Sequence, residues 1–169
     1  MATKVLFVCS GNICRSPTAE GVARTLAARH GVQHLLEFDS AGTHGYHVGE
    51  APDSRSVVAA MRRGYDMTTL RARRVTEFDF MRFDHILAMD RGHLELLRHA
   101  CPPVHRGKLA LFMDFSERFE EDEVPDPYYG GAQDFERVLD LVEDAATQLI
   151  RRLGLSRLAT NSDNSLTAK

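Results

Sequence analysis

Val5-Leu6-Phe7-Val8-Cys9 is a short apolar run rich in β-branched and aromatic residues, and the turn formers Ser10-Gly11-Asn12 follow at once. That combination predicts a buried strand ending in a tight turn. Ser16-Pro17 then reads as a helix start, with Ser as the cap and Pro in the first helical position. Ala19, Val22, Ala23, Leu26 and Ala27 recur at helical spacing up to about Gly31. A buried strand that passes through a tight turn into a helix is the opening unit of an α/β fold.

The alternation continues along the chain. Leu35 to Ser40 predicts a second strand, ended by Ala41-Gly42. Asp53 caps a helix with Val57, Val58 and Met61 inward and Gly64 as its stop. Phe83 to Met89 predicts a third strand, and Asp90 opens a helix through Leu94, Leu97 and Ala100 that ends before Pro102-Pro103. Lys108 to Phe112 predicts a fourth strand. Asp134 caps the last helix, whose Phe135, Val138, Val142, Ala145, Leu149 and Leu153 form one stripe. Strands alternating with helices imply a parallel sheet covered on both faces. Ligands of such sheets bind beyond the carboxyl ends of the strands, which directs attention to the residues just after Cys9 and Ser40. After Leu155 the chain turns polar, so the expectation is one folded domain over residues 1–154 and a disordered tail over 155–169.

A length of 169 residues suits one domain, and 43% hydrophobic with 27% charged residues suits a packed core rather than disorder. The net charge of −3 argues against a nucleic-acid partner. No apolar run approaches the roughly 20 residues of a membrane span, and the apolar stretch at the start is too short for a signal peptide. A cytoplasmic protein is expected. Its three cysteines, Cys9, Cys14 and Cys101, are then reduced thiols rather than a disulfide framework. His44 and His47 have no accompanying cluster of Cys or carboxylates, so neither a metal nor another cofactor is expected. Arg55, Arg62, Arg63, Arg71, Arg73 and Arg74 read as helix and loop surface.

Chemistry concentrates in Cys9-Ser10-Gly11-Asn12-Ile13-Cys14-Arg15-Ser16. A helix N-terminus offers unpaired N–H groups and the positive end of a dipole, which together attract an anion. Gly11 and Asn12 are residue types that tolerate left-handed backbone, so the N–H groups can turn inward as a nest. Arg15 adds a planar fork for two oxygens of a phosphate-like group. Cys9 would lie on the floor of that nest, where the same N–H groups and Arg15 favour its thiolate. A thiolate beneath a tetrahedral anion is a nucleophile aimed at phosphorus. The plainer alternative is a buried strand cysteine and a surface arginine, but the strand before, the turn residues between and the helix start after favour the anion loop. Asp126 lies between Pro125 and Pro127, which stiffen the segment, yet on residues alone it is as consistent with a solvated acidic loop as with a proton donor.

The run Val-Leu-Phe-Val-Cys-x-Gly-Asn-Ile-Cys-Arg-Ser-Pro-x-Ala-Glu resembles the active-site signature of the low-molecular-weight protein tyrosine phosphatases. The likeness continues through Ser40-Ala41-Gly42-Thr43, His47-Val48-Gly49 with Pro52-Asp53, Phe83-Asp84 to Met89-Asp90, and Asp126-Pro127-Tyr128-Tyr129-Gly130. It implies a single three-layer α/β domain: a four-stranded parallel twisted sheet flanked by helices on both faces, with a strand, anion loop and helix as active site. It implies hydrolysis of aryl phosphate monoesters through a phosphocysteine, without a metal. By resemblance Cys9, Arg15 and Asp126 are the catalytic residues, Asp126 as general acid. Ser10, Gly11, Asn12, Ile13, Cys14 and Ser16 bind substrate, with Tyr46, Tyr128 and Tyr129 as an aromatic rim. Ser16 also supports the thiolate, Asn12 and Ser40 shape the loop, and Cys14 can trap an oxidised Cys9 as a disulfide.

Two positions depart from the family pattern. Leu70 stands where many relatives carry a His that ties the loop together, so Asn12 must there bond Ser40, a backbone group or water. Tyr46 stands where relatives often have Trp. The expected partners are phosphotyrosine proteins or peptides, with phosphate and vanadate as inhibitors, and a monomer or weak dimer as the active form. Two other functions fit the loop: a thiol-dependent arsenate reductase, which needs further downstream cysteines, and a non-catalytic phosphate-binding scaffold.

Overall fold

A computed structural model describes residues 1–158 of the chain. Four strands, β1 (Thr3–Cys9), β2 (Leu36–Gly42), β3 (His85–Ala88) and β4 (Leu109–Leu111), form one sheet in the order β2-β1-β3-β4. Every pairing is parallel, as the alternation of elements predicts. Five α-helices connect and cover them: α1 (Arg15–Arg29), α2 (Ser54–Arg62), α3 (Glu77–Arg82), α4 (Arg91–Ala100) and α5 (Ala132–Ile150). Side chains of β1 alternate between two cores. Val5, Phe7 and Cys9 enter the larger one, with residues of α1 and α5. Leu6 and Val8 enter the smaller, with Leu94 and Leu97 of α4. Phe7 anchors the larger core against Phe38 and Phe112, with ring centroids 5.9 and 5.0 Å away.

The chain leaves β1 toward β2 on one side and later returns to pair β3 on the other. The carboxyl end of β1 is therefore the topological switch point, where such sheets open a crevice for ligands. Cys9 is the last residue of that strand, in register with Gly42 of β2. A Cβ at position 42 would come 2.6 Å from the Ser10 carbonyl oxygen and 2.9 Å from that of His44. Only glycine permits that approach, which packs the turn after β1 against the end of β2.

Several expected boundaries shift. Asp53 and Asp90 do cap α2 and α4, accepting the N–H groups of Arg55 and His93. Asp134 does not cap α5: Gly131 does, and Asp134 sits three residues in, its carboxylate accepting the Gly131 N–H at 2.8 Å. Val58 and Met61 face outward, because α2 buries Ser56, Ala59 and Ala60 instead. The short helix α3 was not anticipated; Asp79 supports it by accepting the Thr76 N–H at 2.8 Å. Beyond α5 the chain makes one turn of π-helix, Arg151–Leu155, and residues 156–158 are helical. The expected tail lies for the rest outside the described residues.

Candidate active site

Residues 10–14 carry the chain from β1 into α1. Their one left-handed residue is Asn12, with φ 57°. Gly11 does not need that freedom. A Cβ there would lie 2.9 Å from Cδ2 of His47, so a larger residue would push that ring aside at the cleft wall. The turn's carbonyls point outward into two other segments: Cys9 O and Ser10 O accept the N–H groups of the adjacent Thr43 and His44, and Ile13 O accepts Asp53 N–H. That outward arrangement frees the N–H groups of the same peptides to turn inward as a nest.

Ser16 is not the cap of α1. Cys14 holds that position without a side-chain hydrogen bond, and Ser16 and Pro17 lie inside the first turn. The first N–H groups of the helix keep their capacity for an anion as a result. The Ser16 hydroxyl is spent elsewhere: Oγ accepts Asn12 Nδ2–H at 2.8 Å and lies 2.9 Å from Cys9 Sγ and 3.4 Å from the Ala41 carbonyl, so its proton can go to the sulfur or to that carbonyl. The other Nδ2 hydrogen goes to Ser40 Oγ at 2.9 Å, and Ser40 donates to Glu20 at 2.6 Å. Asn12 Oδ1 accepts the Arg73 backbone N–H at 3.0 Å. Polar contacts thus run outward from Asn12, through Ser16 to Cys9 and through Ser40, which donates, to the buried Glu20. Burial raises the pKa of Glu20 against the opposing pull of Ser40 and Arg24.

Arg15 is buried and doubly held. Nη1 donates to Asp90 Oδ2 at 2.8 Å and to the Val124 carbonyl at 3.1 Å, while Nη2 lies 3.7 Å from Asp126 Oδ2. Burial of Asp90 would raise its pKa, but the His93 N–H and the Arg15 charge outweigh it and hold the carboxyl below its ordinary value. Asp126 itself is exposed, with Oδ1 accepting the Tyr128 N–H at 3.1 Å.

Above the sulfur opens a cleft of about 260 Å³. It brings together Cys9, Ser10, Gly11, Ile13, Cys14, Arg15, Tyr46, Asp126, Tyr128 and Tyr129, all expected from sequence, and adds His47. Asn12, Ser16 and Ser40 stand behind it as buried support. The rim rings are open to solvent, Tyr46 at 74% and Tyr129 at 94% exposure. Tyr46 stacks on His44 at 5.0 Å, and Arg55 braces Tyr128 through its carbonyl at 2.9 Å. A larger cavity of about 760 Å³ lies beside α4 and β4. Arg91, Arg98 and Arg106 line it but no cysteine does, so the nucleophile selects the smaller cleft.

The family model for low molecular weight phosphotyrosine protein phosphatases matches residues 4–159. The chain belongs to that family. The low molecular weight protein-tyrosine-phosphatase of Streptomyces coelicolor is 42% identical over 153 residues, covering 89% of this chain and 93% of that protein. The human low molecular weight phosphotyrosine protein phosphatase is 41% identical over 140 residues, covering 81% and 87%. Among solved structures, the protein tyrosine phosphatase of Entamoeba histolytica, with Hepes in its active site, superposes with a TM-score of 0.87 at 43% identity, covering 90% of this chain and 97% of that one.

Within this phosphatase family member, Leu70 leaves no hole. It packs half-buried against the larger core, and Asn12 uses both amide hydrogens and its oxygen on Ser16, Ser40 and Arg73. Leu70→His should therefore change kcat/KM by no more than about threefold, the range of a substitution that removes no needed contact. A large gain in steady-state kinetics would reveal a missing brace.

Four supporting residues escaped the sequence reading in this role. Glu20 ends the Asn12 network, and Asp90 with His93 flanks Arg15. Arg73, expected on the surface, is a half-buried strut between Asp39 and Asp79, 3.0 Å from each. The one local signal was the Asp90 cap three residues before His93.

Proposed function

We propose that this protein hydrolyses phosphotyrosine and related aryl phosphate monoesters through a phosphocysteine. The observation that carries this reading is the Cys9 sulfur at the base of an N–H-lined turn, with a hydroxyl 2.9 Å away and Arg15 held beside it. Cys9 attacks phosphorus in line as the bond to the phenolic oxygen breaks. The nest and the Arg15 fork hold the equatorial oxygens where charge develops. Asp126, at the mouth of the cleft, gives its proton to the leaving phenolate. Its carboxylate then takes a proton from water as that water attacks phosphorus, the P–S bond breaks, and phosphate and the thiolate are released. Ile13 and the rim tyrosines provide apolar and aromatic surface for the substrate ring.

Cys14 would be a slow partner for an oxidised Cys9. Burial first, then the Asp53 carboxylate, pushes its thiol up to about 12, and disulfide exchange proceeds through the thiolate. An arsenate-reductase relay is disfavoured, because Cys101 is buried in the smaller core across the sheet from Cys9. The reading extends to phosphotyrosine proteins or peptides as substrates, phosphate and vanadate as inhibitors, and a cytoplasmic monomer or weak dimer. Among the described residues no helix is long and apolar enough to cross a membrane. The test is hydrolysis of p-nitrophenyl phosphate with and without vanadate. Turnover that vanadate abolishes is expected, and phosphate binding without turnover would leave the scaffold reading instead.

A further inference from the structure

His93 is 4% exposed on α4, and its Nε2 lies 2.7 Å from Oγ of Ser10, a residue 83 positions away that follows Cys9 directly. Its Nδ1 lies 3.1 Å from Asp90 Oδ1, yet off the line of a hydrogen bond and without any other partner among the described residues. Asp90 Oδ1 also accepts the His93 backbone N–H at 2.9 Å, and Asp90 Oδ2 receives Arg15 at 2.8 Å. Ser10, His93, Asp90 and Arg15 therefore form one run of polar contacts. It leads from the residue beside the sulfur to the guanidinium that faces the anion.

We propose that His93 is a positioning residue of this site: its neutral imidazole spans Ser10 and Asp90 and so fixes the carboxylate that orients Arg15. The inference rests on the reading of Cys9 and Arg15 given above. The neutral ring follows from its surroundings. Burial first, then the Arg15 charge and His44, holds its pKa down to about 4, against the opposing carboxylates of Asp90 and Asp126. Ser10 can then donate to a bare Nε2, and the ring's one proton sits on Nδ1 facing Asp90. A buried N–H without an aligned acceptor is costly. Hydrogen bonds around an empty catalytic site are often long and tighten when ligand binds. An anion in the cleft draws Arg15 toward itself, Asp90 follows, and the Nδ1–H to Oδ1 contact closes. Anion binding and the alignment of His93 are then coupled, each strengthening the other.

Phosphate binding can be read by calorimetry in a Cys9→Ser background, where no turnover is needed, so failure here is distinct from failure of the phosphatase reading. His93→Leu should weaken phosphate binding by about tenfold, the scale of one lost buried hydrogen bond. His93→Asn keeps an amide donor near the Nδ1 position and should recover most of that loss. Asp90→Asn combined with His93→Leu should bind no worse than Asp90→Asn alone, because both act through one contact. Wild-type affinity in His93→Leu, or fully additive losses in the pair, would overturn the proposal. If His93→Leu does not fold, the imidazole ¹⁵N signals of the unmodified residue decide. A protonated Nδ1 whose proton signal moves when phosphate is added is expected; the opposite tautomer, or no response, overturns it.

Discussion

Cys9→Ser is expected to lower turnover of p-nitrophenyl phosphate by roughly 10⁶-fold, the scale seen when a catalytic nucleophile is deleted. Phosphate should still bind. The nest is backbone, held by carbonyl contacts to Thr43, His44 and Asp53, and Arg15 is held by Asp90 and Val124. None of these involves the sulfur. A serine hydroxyl at the same place stays protonated and is a far weaker nucleophile. Assay and calorimetry on one preparation separate the two effects. Near wild-type turnover would end the phosphocysteine mechanism, and loss of both turnover and phosphate binding would mean that the loop itself had collapsed.

Asp126→Asn should slow hydrolysis by about 10²–10⁴-fold for substrates with basic leaving groups, the usual contribution of a general acid. Substrates with acidic phenols should lose much less, since their phenolates depart without a proton. The segment's shape should survive the change, because Asn can still accept the Tyr128 N–H that Asp126 Oδ1 accepts now. The plot of rate against leaving-group acidity is the measurement. A loss equal for all phenols would remove Asp126 from the proton-transfer step and leave it a merely electrostatic neighbour of Arg15, 3.7 Å away.

Features written in adjacent residues were readable from the chain. The apolar run into Cys9, the Asp53 and Asp90 caps and the left-handed Gly64 after α2 all depend on backbone chemistry within a few positions. Periodicity misled at α2, where the bulky Val58 and Met61 look like a core face. Ser56, Ala59 and Ala60 are buried instead, and small side chains of this kind let helices pack closely. Asp134 was misplaced by three positions because an acidic residue at a helix start serves equally as a cap or as a first-turn acceptor for the cap's N–H. In the site, the loop residues were legible as a unit. Their supports were not, since Arg73 meets Asn12 from 61 positions away and His93 meets Ser10 from 83. The Asp90 cap marks where His93 sits on its helix, but only the folded topology pairs that ring with Ser10.

The outward-turned carbonyls of residues 9, 10 and 13 also decide how portable this site is. The first two are sewn to one stretch of chain, at Thr43 and His44, and the third to another, at Asp53, while Asn12 and Arg15 add stitches to two more. Excised as a peptide or grafted onto another strand-and-helix junction, the eight residues from Cys9 to Ser16 would carry the signature without its shape. For the same reason the loop has no seam along which to open by itself. The N–H groups that face the open cleft should exchange readily with solvent until an anion covers them, and any change that shifts the backbone at distant anchors such as Thr43 or Asp53 is inherited by the site.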